Sequence, residues 1–214
     1  MRRGVSAAAA LVGCVVVAVV TAMLPAAAAA THAATSATSS TTTTSGRVPG
    51  LLPSAFSWFA PGPPPSSWRE YGAVQGTVVV ADPPRLKPLG GSGGSLSFAA
   101  RGARGAYFAF IDVTPQQGAE NLAGWAAFRL GLLRTDGAKG IHEDATAGNL
   151  PFRGGTGACV IDDYVTRAGT AFHEIACFVE GPHSGSVVVV AAPPSDWRSY
   201  AMPLERVVSS YRVM

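Results

Sequence analysis

Cys159 and Cys177 stand at equal distances from Ala168, on either side of a short segment, Arg167-Ala168-Gly169, with the make-up of a hairpin loop. The flanks Val160–Thr166 and Thr170–Ala176 are rich in β-branched and aromatic residues, and Gly169 supplies the residue that a three-residue hairpin loop requires in the left-handed region. Centring the hairpin on Ala168 sets Cys159 opposite Cys177, Asp163 opposite His173 and Asp162 opposite Glu174. Directly opposed strand residues hold their Cβ atoms roughly 4.5–5.5 Å apart, at the edge of disulfide reach. The spacing therefore predicts a cross-strand disulfide, and with it a domain that folds outside the reducing cytosol.

The N-terminal region agrees with export. Arg2 and Arg3 precede an uncharged apolar stretch from Val5 to Leu24, followed by Pro25 and the run Ala26–Ala30, which offers small-residue cleavage sites. Residues 1–30 are thus expected to be a signal peptide or, since residues 5–24 are about the roughly 20 residues of a membrane span, an N-terminal anchor. Leu11-Val-Gly-Cys14 spells a lipobox-like tetrapeptide, but it interrupts the apolar run instead of closing it, so lipidation at Cys14 is the weaker reading. Thr31–Ser45 holds eleven Ser or Thr in fifteen positions and no Lys, Arg, Asp or Glu, the composition of a disordered stalk. Gly50–Pro65 is Pro-rich, and its cluster Phe56-Ser-Trp58-Phe59 is expected to pack onto the domain. Residues 31–65 are read as a linker and residues 66–214 as one globular domain, a size that supports a core of its own.

Charge excludes one class of partner. Without Arg2 and Arg3, the sixteen basic residues become fourteen against thirteen acidic ones, and the arginines are dispersed. A nucleic-acid footprint needs a basic stripe, which is lacking here.

Within the domain, Trp68–Tyr71 and Thr77–Ala81 form an expected strand pair, followed by strands at Ser95–Ala99 and Ala106–Val113. Thr114-Pro115-Gln116-Gln117 has the residues of a capping box with proline at the first helical position, and predicts a helix running to about Arg134 and closed by Gly137. A short strand near Ile141 and a loop through Gly154-Gly155 lead to the stapled hairpin. Ser186–Ala192 reads as a buried strand, and the spacing of Leu204, Val207, Val208 and Tyr211 as a closing amphipathic helix. The expected class is α+β: an antiparallel meander with one mid-chain and one C-terminal helix.

This order, with its Pro-rich approach to Trp68, the strand Ala106–Val113 leading into the mid-chain helix, the late meander and the closing helix Leu204–Ser210, resembles the PsbP-like and Mog-like α/β/α sandwiches. The resemblance implies an exported bacterial protein or lipoprotein that acts as a non-enzymatic binding or accessory module on an envelope or extracellular protein. It transfers no functional residue and no cofactor, and the fold does not demand the cysteine pair.

Four polar residues of the hairpin form the candidate cluster. Asp163 beside His173 is half of a catalytic dyad, but no nucleophile is identifiable nearby, and a cross-strand ion pair is the simpler reading. Asp162 and Glu174 would repel each other unless something positive lies between them. An arginine such as Arg129 or Arg153 is the commoner solution; a metal held by two carboxylates alone would be weakly bound. His142-Glu143-Asp144, at a strand end, contains a conceivable metal-binding pair, but a solvated loop entrance is much the better reading. Gly90-Gly-Ser-Gly-Gly94 matches the nucleophile elbow only in letters, since a strand and not a helix is expected to follow it. No catalytic, metal or cofactor site is therefore assigned. The competing reading is a small hydrolase or metal-dependent enzyme built on Asp163, His173 and Glu174.

Overall fold

The computed structural model describes residues 52–102 and 107–214. The expected leader, the Cys14 tetrapeptide, most of the linker and Ala106 lie outside them. Among the described residues no helix is long and apolar enough to cross a membrane.

The opening pair forms as β1 (Arg69–Ala73) and β2 (Val78–Asp82), joined by a left-handed turn at Val74-Gln75. β2 also pairs with the last strand, β10 (Arg212–Val213), to make a small antiparallel sheet. The large sheet has the order β3 (Lys87–Gly90), β4 (Leu96–Arg101), β5 (Tyr107–Pro115), β9 (Gly185–Ala192), β8 (Ala171–Glu180), β7 (Gly155–Val165), β6 (Lys139–Phe152), antiparallel throughout. Strands β6 to β9 are a meander whose final strand, β9, returns to pair with β5.

Two helices cover the two faces. Helix α1 (Trp125–Thr135) lies over Val160, Tyr164, Phe172, Ala176, Phe178, Val187 and Val189. Helix α2 (Pro194–Ser210) lies over Cys159, Ile161, Ile175, Cys177, Val188 and Val190 and buries Leu204, Val207 and Val208 as its spacing predicts. Strand alternation sends successive side chains to opposite layers, so β9, buried at every position, is continuously apolar from Val187 to Ala192. The result is the α+β class and the α/β/α sandwich expected from sequence.

Three expectations are corrected. The helix does not start at Thr114-Pro115: both residues extend β5 and pair with Val187 and Ser186 of β9. Proline is tolerated there because β4 ends its pairing at Val113, leaving that flank of the strand without a neighbour. Gln116 and Gln117 serve a loop instead, the Gln117 backbone N–H donating to the Glu120 carboxylate at 2.6 Å. The short strand near Ile141 is a fourteen-residue strand, β6, whose three register shifts against β7 disguise its alternation. Finally, the domain begins before Ser66. Phe56 and Phe59 are buried in the main core, and the Gly62 N–H donates to the carbonyl of Ser209 in α2.

Candidate functional site

The hairpin register is the one its loop dictates: Cys159 faces Cys177 and is bonded to it, Asp163 faces His173, and Asp162 faces Glu174. Gly169 adopts the left-handed conformation that closes the turn, and its N–H donates to the Thr166 carbonyl. Because neighbouring residues of a strand point opposite ways, this register divides the four polar residues between the two layers.

Beneath α1 lies a buried charged cluster. Glu174, wholly inaccessible, accepts hydrogen bonds from Arg129 Nε at 2.6 Å and Nη2 at 2.7 Å, and from the Tyr164 hydroxyl at 3.1 Å. The cation expected near Asp162 and Glu174 is thus Arg129, reaching down from α1; Arg153 donates to the Ser210 carbonyl instead. Both carboxylate oxygens of Asp162 are buried and find no hydrogen-bond partner among the described residues. Burial, and then the charge of Glu174, push the Asp162 carboxyl up to about 8, with Arg129 opposing the shift. Burial likewise raises Asp112 of β5, a third carboxylate near the same guanidinium. Asp162 and Glu174 are both wholly inaccessible to solvent.

The opposite face carries a second cluster, beside α2. His173 Nδ1 lies 2.9 Å from Asp163 Oδ1 and 3.6 Å from Asp144 Oδ2. Donor atoms of Asp144, Asp163 and His173 all fall within 4.8 Å of one another. Each comes from a different strand, β6, β7 and β8. His142 aligns with Asp163 across β6 and β7, and Asp144 occupies the register shift between Glu143 and Ala145. A bulge of this kind re-aims a side chain, here toward Asp163 and His173. The His173 ring packs against the Trp197 ring of α2 with centroids 4.3 Å apart. A recess of about 260 Å³ opens over the cluster, lined by Asp144, His173, Ile161, Trp197, Trp58 and Glu205. Burial raises the Glu205 carboxyl, and the charge of His173 partly offsets that rise.

The expected Asp163–His173 pair is present and Asp144, expected at a solvated strand end, joins it, while Glu205 and Trp197 are not foreshadowed by the sequence. Those two arrive on α2, far along the chain, and no local signal joins them to the hairpin. The constellation Asp163, His173 and Glu174 does not assemble: Glu174 is under α1, while the other two face α2.

Next to this recess, and sharing Trp58 and Glu205 with it, runs a larger one of about 570 Å³. Trp58, Pro65 and Trp68 form its lining from the N-terminal strap, and Met202, Pro203, Glu205, Arg206 and Ser209 from α2. The strap is held in place by the donation from Arg206 to the Pro63 carbonyl. Met202 at this recess is 79% exposed.

No protein-family model matches the chain, and no curated protein matches it in sequence. In structure it is similar to cyanobacterial PsbP (CyanoP) from Synechocystis sp. PCC 6803, with a TM-score of 0.50 and 11% identity over 70% of this chain and 94% of that one. A protein of unknown function, PA94 from Pseudomonas aeruginosa, aligns at a TM-score of 0.40 and 13% identity over 66% of this chain and 94% of its own. LpqN, involved in cell envelope biogenesis of Mycobacterium tuberculosis, aligns at 0.36 and 12% over 71% and 81%. The likeness to cyanobacterial PsbP makes the fold PsbP-like, and an identity this low speaks to fold alone.

Proposed function

We propose that the protein is an exported, non-enzymatic binding module that uses the apolar recess between its N-terminal strap and α2 to take hold of an envelope or extracellular protein. The observation that carries this reading is the recess itself: about 570 Å³, walled by Trp58, Pro65, Trp68, Met202 and Pro203, with Arg206 and Glu205 as polar neighbours. Its volume lies within the ~300–1,000 Å³ of ligand pockets, and aromatic and methionine side chains are the types that anchor partners. The leader and the Ser/Thr-rich stalk support an extracytoplasmic location, with residues 5–24 as a tether where they are retained. The disulfide supports the same compartment.

The hydrolase reading lacks its geometry, since Glu174 is sequestered with Arg129. The binding reading is tested by capture from the envelope of the source organism with wild type and with Met202→Asp. A partner retained by wild type and lost by the variant, at unchanged melting temperature, supports it. Equal retention removes the recess from the binding surface. Intact mass of the native protein establishes whether residues 1–30 are cleaved, retained or lipidated.

A further inference from the structure

We propose that Asp144, Asp163 and His173 form a binding site for a divalent transition-metal ion, zinc by preference, at the edge of the smaller recess. Three features carry the assignment. The donor set is mixed, one imidazole nitrogen and two carboxylates, and its atoms converge within 4.8 Å from three adjacent strands. Imidazole suits zinc and its neighbours in the first transition row, whereas calcium and magnesium take oxygen donors alone. The two carboxylates offset the charge of a divalent ion, and a single His173 Nδ1 facing both of them can donate a proton to only one at a time.

The second feature is pre-orientation. Trp197 packs edge-on against the His173 ring, and the bulge at Asp144 brings that carboxylate beside the Asp163–His173 pair. A plain cross-strand ion pair between Asp163 and His173 needs neither. The third is access. The recess of about 260 Å³ is lined by Asp144 and His173, so two of the three donors face open space, and Glu205 lines the same space from α2. Three protein ligands and an open position are the arrangement of sites that bind an exchangeable ligand, while closed structural sites use four. Both thiols are committed to the disulfide, so this N/O set has no sulfur competitor among the described residues.

The site does not depend on the binding-module reading, because metal affinity is measured without any partner. The test is calorimetric titration of the full chain with zinc chloride and, separately, magnesium chloride, together with the ¹⁵N shift of His173 Nδ1. Zinc is expected to bind one ion per chain with micromolar affinity, to move the Nδ1 resonance and to raise the melting temperature, while magnesium does none of these. Loss of an outer-shell partner alone weakens metal sites by about tenfold, so removing a ligand should cost at least as much. Asp144→Ala and Asp163→Ala, both at solvent-accessible positions, should each show that loss with the metal-free melting temperature unmoved. His183→Ala, in a turn after β8, should bind as wild type. The proposal is overturned by zinc affinity no better than millimolar, by affinity indifferent to both aspartate variants, or by an unmoved His173 Nδ1 resonance.

Discussion

At the scale of single residues, the most consequential contact is the one between Arg129 and Glu174. Glu174 is wholly buried, and its two oxygens are met by the two prongs of the guanidinium and by the Tyr164 hydroxyl. A buried pair of this kind adds little relative to an apolar pair of similar volume, but removing one member strands the other. Arg129→Met should therefore destabilise the domain by about 3–5 kcal/mol in urea unfolding, and adding Glu174→Leu should restore a large part of that loss. Asp162 beside it gives a pH signature. Its carboxyl is raised in the folded state to about 8 from an ordinary 3.8, so the folded state holds a proton that the unfolded chain has released. The associated stability is complete below the unfolded value and declines as pH rises, through a window of about pH 4 to 8. Asp162→Asn removes that dependence. Its stability relative to wild type should rise between pH 5 and pH 8 by about 1 kcal/mol or more, each unit of pKa gap corresponding to ~1.4 kcal/mol. A parallel pair of pH profiles would show that Asp162 is ionised in the folded state.

At the scale of elements, the hairpin is the tie between sequence and fold. The cysteines are 18 residues apart, and closing a loop of that length in the unfolded chain corresponds to about 3 kcal/mol. The double variant Cys159→Ser, Cys177→Ser should lose about that much stability, with its far-ultraviolet circular dichroism unchanged. An unshifted denaturation midpoint would mean the crosslink leaves stability unaltered. The register of β7 and β8 was legible from their residues because a three-residue loop around Gly169 leaves one alignment that keeps both apolar faces inward. The start of α1 was not. Thr114 and Pro115 carry a good local capping signal, yet their pairing with β9 is a tertiary contact of far greater sequence separation. Local propensity loses to such contacts wherever a strand partner is on hand. The length of β6 was hidden by its bulges, which shift the alternation three times. The same irregularity explains why Asp144 could not be placed beside Asp163 and His173 from spacing alone, while the directly opposed pair could.

At the scale of the whole molecule, the sheet is a partition with two chemistries. The α1 side encloses its carboxylates around one arginine, and the α2 side leaves polar and apolar groups open to solvent in two adjoining recesses. What keeps the second side open is the strap before β1. It reaches the core through Phe56 and Phe59, lies against α2 at Gly62 and Pro63, and so forms a wall that α2 alone cannot supply. Phe56 is completely buried and packs near Trp58, with ring centroids 5.9 Å apart. Phe56→Ala should cost about 3–5 kcal/mol, as for other buried aromatic truncations. A chain shortened to begin at Ser66 loses Phe56 and Phe59 from the core and Trp58 and Pro65 from the recess together. Comparing the two separates stability from binding. At a temperature where Phe56→Ala is still folded it keeps the aromatic wall and should still capture the partner, whereas the shortened chain should not, even where it folds. If the shortened chain captures the partner as well as the full one, the strap contributes to the core alone and the binding surface lies on α2.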